Sequence, residues 1–516
     1  MTGLISCSTE VDALRRNATE HPEKTAIIFG DRHTNFDTLN RRASQIANGL
    51  LSLDATPQKR IGLLSKNADY CLELLFGTAK ARNVWMAINW RLTAAEIAQI
   101  LADAEVDTIF VGPEFAGLLP ELLALGANLR HTFLFDANYE SWRDGQSATD
   151  PMMVQDADEI FVQLYTSGTT GLPKGVQISH RASASMRTIE TSIGGAWNVW
   201  GPEEVAIVAM PNFHVAGTNW ALQWLSRGGT LVVQPQIDPV AMLDAVEKQN
   251  VTQLFAVPTV LGAMLDDPTV GTRNLSSLKL IHYGAAPMSI DLLERAMATF
   301  DVGFVQHFGM TEANGCVTVL TPDDHDPARP QLLRSVGRPY PAIELQIRDS
   351  DGNAVKTGTV GEIYVRTPAL MTGYWKKPED SADVMHGLYY QTGDAGYVDT
   401  DGYLFLVDRI KDMIVTGGEN VYPIEVEQVL LQHPAVVDVA VIGIPDARWG
   451  EAVMAVVTLR HNDVDSAELI AFTRERIASF KAPKFVEFMD FLPRNPSGKL
   501  LKRELRKRFA STGEPV

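Results

Sequence analysis

The sequence predicts an α/β multidomain protein: a large N-terminal domain of parallel αβ sheets plus a β-rich portion, then a small α+β C-terminal domain. Three observations predict it. Short β-rich apolar runs alternate with longer helix-like stretches through most of the chain, the pattern changes after about residue 335, and a compact βαβ-like unit runs from about residue 412 to the end. In chain order, RIGLLS (60–65), DTIFVG (107–112), EEVAIVAM (203–210), TLVVQ (230–234) and QLFAVP (253–258) read as buried strands. Each is followed within a few residues by an amphipathic segment such as DPVAMLDAVEKQN (238–250), and such alternation implies parallel sheets covered on both faces. Beyond residue 335 the strands are short and carry DG turns at Asp351-Gly352 and Asp401-Gly402, which suits antiparallel pairing.

Length and charge bound the function classes. A chain of 516 residues, at roughly 150 per domain, holds two to four domains and a large core. With 45% apolar and 21% charged residues, wholesale disorder is excluded. The net charge is −18, from 45 Lys plus Arg against 63 Asp plus Glu. That argues against nucleic acid as a partner, since phosphate backbones select for positive surfaces, but leaves a local phosphate pocket open. Cys7, Cys71 and Cys316 lie far apart, so there is no zinc spacing and no disulfide framework. The N-terminus reaches charged residues too soon for a signal peptide, and apolar runs such as AVVDVAVIGI (435–444) are too short for a transmembrane segment. A cytoplasmic protein is expected.

The most informative segment is YTSGTTGLPKGV (165–176), directly after the apolar run EIFVQL. Ser167, Gly168, Thr169, Thr170 and Gly171 crowd small and hydroxyl residues into one turn, and Lys174 follows. Glycines let backbone N–H groups approach an anion, hydroxyls donate further hydrogen bonds, and the lysine adds a mobile charge, a combination that a triphosphate needs. It is not a Walker A loop, because Lys174 lies between Pro173 and Gly175 and no Ser or Thr follows it. Taken alone, SGTTG also reads as a solvent-exposed loop.

The whole dodecapeptide resembles the phosphate-loop signature of the adenylate-forming (AMP-binding) superfamily, which includes acyl-CoA synthetases, peptide-synthetase adenylation domains and beetle-type luciferases. PNFHVAG (211–217), YGAAP (283–287), HFGMTE (307–312), YQTGDAG (390–396), DRIKDMIVTGGENVYPIEVE (408–427) and NPSGK (495–499) follow in that superfamily's order and spacing. NVWMAINWRLTAAEI (83–97) resembles its N-terminal region, so the likeness runs from about residue 14 to 506.

The resemblance implies roles residue by residue. Thr166, Ser167, Gly168, Thr169, Thr170, Gly171 and Lys174 would hold the ATP phosphates. Gly284, Ala285, Ala286 and Pro287, together with His307, Phe308, Gly309 and Met310, would line the nucleotide, with Phe308 stacked on adenine. Thr311 would hydrogen-bond the α-phosphate and Glu312 would ligate Mg2+, a hard cation suited to a carboxylate oxygen. Asp394 would accept from the ribose hydroxyls with Arg409 assisting, although an Asp beside Gly is ordinarily a turn residue. His214 would take a gate position near the carboxylate; a lone His among apolar residues also reads as a core histidine. His307 stands where most relatives have glycine, and it either narrows and polarises the acyl pocket or is a packed histidine.

Lys499 of NPSGK would be the catalytic lysine, its ammonium meeting negative charge as the carboxylate attacks phosphorus. The plainer reading is that it opens the basic stretch KLLKRELRKR, whose Lys502, Arg503, Arg506, Lys507 and Arg508 read as a solvated helix face. Residues 1–410 would bind ATP and acid, and residues 411–516 would form a mobile domain turning about a hinge near Lys411. Rotation would carry Lys499 away and bring Gly417, Gly418 and Glu419 of TGGEN to the site, admitting coenzyme A.

The implied enzyme is an acid–thiol ligase, an acyl-CoA synthetase. It would activate a carboxylic acid with ATP to acyl-AMP, then form a thioester with CoA, releasing AMP and pyrophosphate. Val215, Gly217 and Trp220, with His214, Ala285, Gly309, Gly315 and Cys316, would wall the acyl pocket. That set is mostly apolar, which favours a medium- or long-chain fatty or similar alkyl acid, with an aryl (cinnamate- or benzoate-like) acid as alternative. A stand-alone adenylation domain and a luciferase-like oxygenase are the remaining alternatives. Homodimers are common among similar enzymes.

Overall fold

A computed structural model describes residues 9–166, 173–286, 288–409, 412–416, 419–446, 448–461, 464–494 and 500–509, with 408, 409 and 420 by backbone alone. The chain packs into two compact units: Met1–Glu344 with Val365–Tyr390, and Leu345–Tyr364 with Gln391–Val516. This division by packing is distinct from the rotation expected about residue 411, which lies outside the described residues.

The first unit contains the two parallel sheets that the strand–helix alternation predicts. In one, Thr25–Phe29, Thr230–Val233, Val205–Val208, Gln253–Ala256, Leu280–Gly284 and Gly303–Met310 lie side by side in parallel. In the other, His131–Leu134, Thr108–Val111, Arg60–Leu64, Val84–Ala87 and Ile160–Thr166 do the same. TIFV, TLVV and QLFA are buried along their whole length, as strands covered on both faces must be. The expected helix at 238–250 is Pro239–Gln249: Asp238 caps its first N–H groups, proline takes the first turn, and Asn250 ends it at φ 51°.

One apolar core draws on both sheets, with Ile27, Val208 and Leu231 from the first and Ile61, Leu63 and Phe161 from the second. Helices Phe36–Leu53, Asp69–Lys80 and Val215–Ser226 add Phe36, Leu39, Leu74, Phe76 and Trp224, so they form the layer between the sheets. A polar knot crosses that layer: Glu73, fully buried, accepts from Arg42 at 2.8 Å and Arg143 at 2.9 Å. A buried carboxylate survives only when paired, and here two guanidinium groups pair it.

Each parallel sheet ends in an antiparallel reversal. Gly303–Met310 turns back as Gly315–Leu320, and Ile160–Thr166 turns back as Lys174–Ser179, on whose far edge Gly373–Tyr374 adds antiparallel. Ligand sites in parallel sheets gather at the carboxyl ends of strands, so both reversals sit where a site is expected.

The second unit contains the antiparallel β structure and the α+β tail. Tyr389–Val398 and Leu404–Arg409 pair antiparallel around Asp401-Gly402, with Gly402 at φ 85°, and Arg348 bridges Ala354 around Gly352 at φ 81°. Both DG turns are therefore as the sequence predicts. In the tail, Gly450–Leu459, helix Ser466–Arg474 and Phe485–Phe488 form a βαβ unit with parallel strands. The reading missed its long antiparallel partner, Val436–Asp446. Both strands of that hairpin are almost continuously apolar, so periodicity could not tell the pairing sense. One further expectation is corrected: Lys502 and Arg506 do not form a merely solvated face, because they pair with Glu427 at 2.8 Å and Asp412 at 2.9 Å while Leu505 is buried.

Glu73→Ala, which strands the two guanidinium groups in the interhelical layer, should destabilise the protein by about 3–5 kcal/mol, read as a lowered urea midpoint at constant slope.

Candidate active site

The chemistry-bearing residues occupy the two reversals. After Ile160–Thr166, residues 167–172 lie outside the described residues, and with them Ser167, Gly168, Thr169, Thr170 and Gly171. The flanks are clear: Thr166 and Lys174 are cross-strand partners at the mouth of the turn. The Lys174 side chain is only 12% exposed; its Nζ lies 3.0 Å from Asp380 Oδ1 and 5.0 Å above the centre of the Tyr374 ring. A lysine so held is aimed rather than splayed into solvent, and the Asp380 carboxylate occupies the place of an anion.

In the other reversal, strand Gly303–Met310 carries His307, Phe308, Gly309 and Met310, and a single 3₁₀ turn, Thr311–Ala313, holds Thr311 and Glu312. Tyr374 donates to Glu312 Oε1 at 3.1 Å, and the backbone N–H of Met371 donates to the Glu312 carbonyl at 2.7 Å. Burial, helped by the Glu312 charge, drives the Tyr374 phenol well above its ordinary pKa, so it stays a donor. Lys174 from one sheet and Glu312 from the other thus converge on Tyr374. The sequence reading missed Tyr374 and Asp380: nothing in their local sequence relates them to residues 62 and 206 positions away, respectively, a link that the distant pairing in the fold alone supplies.

Backbone constraints account for several small residues. A Cβ at Gly284 would lie 2.2 Å from the His307 carbonyl oxygen, and one at Gly309 would lie 1.8 Å from that of Gly315. These glycines let adjacent strands close up, whatever else they line. Ala285 sits at φ 63°, left-handed for a residue with a Cβ, immediately after Leu280–Gly284. Such strain clusters at functional sites. Ala286 is exposed beside it, and Pro287 lies outside the described residues.

His214 occupies the N-cap of helix Val215–Ser226 without capping it, and its ring packs on Phe213. Its buried Nε2 has no hydrogen-bond partner among the described residues. Burial, reinforced by the nearby Arg91 charge, pushes its pKa down to about 4, so it is a neutral imidazole. Val215 is half-buried at the helix start. Gly217 touches the Pro211 backbone so closely that a Cβ would come within 2.3 Å, which explains its size by chain packing. Trp220 donates to the Ile207 carbonyl at 2.8 Å and packs among Trp200, Trp224, Phe255 and His282. Cys316 stands opposite Gly309 in the strand pair, one residue beyond Gly315.

Geometry bears on the two alternatives for His307. Its Nε2 lies 2.8 Å from His282 Nδ1 and its Nδ1 lies 3.1 Å from the Tyr340 hydroxyl, with the two imidazole planes within 3° of parallel. Burial pushes its pKa down to about 3. Both nitrogens join a chain of hydrogen bonds, as the packed reading expects, while the residue is only half-buried.

In the second unit, Asp394 is 8% exposed and stands directly across the hairpin from Arg409, of which the backbone is described. The two residues expected at the ribose are therefore cross-strand neighbours. Glu419, exposed, pairs with Thr416; Gly417 and Gly418 between them, the hinge candidate Lys411 and the catalytic candidate Lys499 lie outside the described residues.

For a magnesium ion the donor set is lean. Among the described residues there is no group of three His, Cys, Asp or Glu side chains placed to hold a metal. A single carboxylate, Glu312, fits an ion that arrives with a phosphate ligand and keeps its waters, rather than a resident metal. Tyr374→Phe should lower kcat/KM for Mg-ATP by roughly tenfold, about 1.5 kcal/mol for one hydrogen bond to a charged group. An unchanged value would mean that the Tyr374 hydrogen bond is not needed to position Glu312.

Comparison with known proteins agrees with this arrangement. Residues 14–375 match the family described as AMP-binding enzyme, and residues 425–499 match the AMP-binding enzyme C-terminal domain. The chain is 38% identical to a fatty acid–[acyl-carrier-protein] ligase from Streptomyces coeruleorubidus, over 97% of this chain and 96% of that one. It is 37% identical to a feruloyl-CoA synthase from an Amycolatopsis species, over 96% and 98% of the two chains. Among solved structures, ATP-bound MatB from Rhodopseudomonas palustris superposes with a TM-score of 0.89 at 30% identity, covering 98% of this chain and all of that one. The two matched regions, the full-length relatives and the shared architecture together place this chain in the AMP-binding, adenylate-forming enzyme family.

Proposed function

We propose that the protein is an ATP-dependent acid–CoA ligase acting on a carboxylic acid with a largely apolar body. One observation carries the reading: Lys174 and Glu312, the cation and the carboxylate that a magnesium triphosphate demands, come from different sheets and meet at Tyr374. Relatives that are named as fatty-acid and feruloyl ligases support the class.

In the first half-reaction a carboxylate oxygen attacks the α-phosphorus of ATP, the bond to the β-phosphate oxygen breaks, and pyrophosphate leaves. Lys174 would draw the Asp380 carboxylate's place over to phosphate, Thr311 would donate to the α-phosphate, and Asp394 with Arg409 would hold the ribose. Magnesium, held by Glu312 and the phosphates, would neutralise charge on the phosphate oxygens. Lys499 would supply the second cation where charge builds. His214, neutral and with an open Nε2, would position the acid rather than deprotonate it, since the acid is already a carboxylate. In the second half-reaction the CoA thiol loses its proton, sulfur attacks the acyl carbon, and AMP leaves. Residues 411–516 would turn about Lys411 between the two, exchanging Lys499 for Gly417, Gly418 and Glu419. Phe308 beneath adenine and Ala285 beside the acyl carbon complete the site.

A fatty or similar alkyl acid is the leading substrate class, with an aryl acid as the second. The relative named for an acyl-carrier-protein acceptor makes a carrier-bound pantetheine thiol the alternative acceptor. No helix among the described residues is long and apolar enough to cross a membrane. A cytoplasmic location and a homodimer belong to the same reading.

Incubation with ATP and a panel of fatty and aryl acids should release pyrophosphate, and AMP should follow on adding CoA. Absence of both products with every acid would overturn the ligase reading; AMP release with a carrier protein but not with CoA would reassign the acceptor. Lys499→Ala should slow adenylate formation by orders of magnitude while largely sparing thioester formation from supplied acyl-adenylate. Equal loss in both half-reactions would count against domain rotation.

A further inference from the structure

Behind the Gly315–Cys316 wall lies a polar group that the apolar reading of the acyl pocket did not anticipate. Glu190, on helix His180–Ser192, is 5% exposed, and its Oε2 has no hydrogen-bond partner among the described residues. It forms no ion pair there either, although the Arg227 charge is close enough to be felt. The Cys316 thiol lies against the carboxylate, where the helix packs on strand Gly315–Leu320. A buried carboxyl oxygen left without a donor costs about 1–3 kcal/mol or more, so a fold that keeps one implies a donor from elsewhere.

Among the described residues, no neighbour supplies that donor in the structure. Gln253 Nε2 donates to the Val199 carbonyl at 2.9 Å, which turns its Oε1 towards His282 Nε2 at 3.0 Å. His282 therefore carries its proton on Nε2 and accepts at Nδ1 from His307 Nε2, so His307 accepts at Nδ1 from the Tyr340 hydroxyl. Burial keeps both imidazoles neutral, consistent with one proton per ring. Tyr340, near enough to feel both Cys316 and Glu190, has thus given its only proton to His307. Arg227 directs Nη1 to the Gln223 carbonyl at 2.9 Å and Nη2 to the Arg187 carbonyl at 2.6 Å and lies over Trp200, and none of its nitrogens comes within hydrogen-bond reach of Glu190 Oε2. Cys316 can offer only a weak S–H donor.

We infer that Glu190, at the far end of the acyl pocket, accepts a hydrogen bond from a neutral hydroxyl at the end of the substrate remote from its carboxylate. This rests on the ligase reading above and narrows it: the acid is a hydroxy acid, aryl or alkyl, rather than a plain fatty acid. The charges in the wall select the class. A second carboxylate would face Glu190, an ammonium would face Arg227, and an unsubstituted end would leave Glu190 buried without a donor. A site built to bond a hydroxyl discriminates strongly against the analogue lacking it, because the protein's own group is then left unpaired.

The test is pyrophosphate release with matched acids that differ only by a terminal hydroxyl: a 4-hydroxyphenylpropenoate against the phenylpropenoate, and an ω-hydroxy fatty acid against its parent. The wild-type enzyme should prefer at least one hydroxy acid by tenfold or more in kcat/KM. Glu190→Leu should abolish or reverse that preference, raising kcat/KM for the unsubstituted acid, whereas Glu190→Gln, which retains an acceptor oxygen, should keep most of it. The KM for ATP, measured alongside, reports that each variant is folded. Turnover of both pairs without preference, or a preference that survives Glu190→Leu, would overturn the inference and leave the ligase reading standing. Turnover of no acid at all would instead sink the ligase reading.

Discussion

The site rests on how two parallel sheets stop. A parallel strand must be followed by a crossover before the next can form, but an antiparallel one can follow after a tight turn. Each sheet of the first unit abandons crossovers at its last parallel strand, at Thr166 and at Met310, and turns straight back. Both reversals lie at carboxyl strand ends, where ligand sites of parallel sheets gather. The hydrogen bond from Tyr374 to Glu312 then ties one reversal to the edge strand of the other sheet. Lys174 and Glu312 belong to separate sheets, and Tyr374 is the side chain on which both meet.

Close backbone approach is the second requirement. Gly309 against the Gly315 carbonyl, and Gly284 against the His307 carbonyl, admit no Cβ, and the chain meets this with glycine at both positions. Ala285 accepts a left-handed conformation in the same neighbourhood. Strain and close packing at one strand end are tolerable because the neighbouring layer is well packed, with Trp220 in ring contact with both Trp224 and Phe255 and His282 hydrogen-bonded to His307.

Electrostatics follow the same logic at different scales. A net charge of −18 repels the polyanions that the family binds. Local positive charge is placed by the fold: Lys174 is held at a defined place by Asp380, and Arg227 has Nη1 and Nη2 donating to carbonyl oxygens. Buried imidazoles stay neutral because desolvation disfavours their charged form, and neutrality makes the Gln253–His282–His307–Tyr340 chain directional. The direction of that chain gives the Tyr340 proton to His307 and leaves Glu190 Oε2 without a partner among the described residues.

Much of this was legible in the sequence. The continuous apolar runs identified the parallel strands, the DG dipeptides located the antiparallel turns, and the ordered motifs from residue 165 to 499 identified the family and the residues of both reversals. Those features are local: periodicity, turn chemistry and spacing are set within a few residues of each other. What the sequence could not determine was partnership at long range. Tyr374 and Asp380 carry no local mark of function, His307 could be wall or packing, and the apolar pocket residues hid Glu190, which lies 126 positions before Cys316 in the chain. Only the tertiary structure decided these, because hydrogen bonding and desolvation depend on which side chains meet in space, and the meeting is made by sheet order rather than by sequence distance.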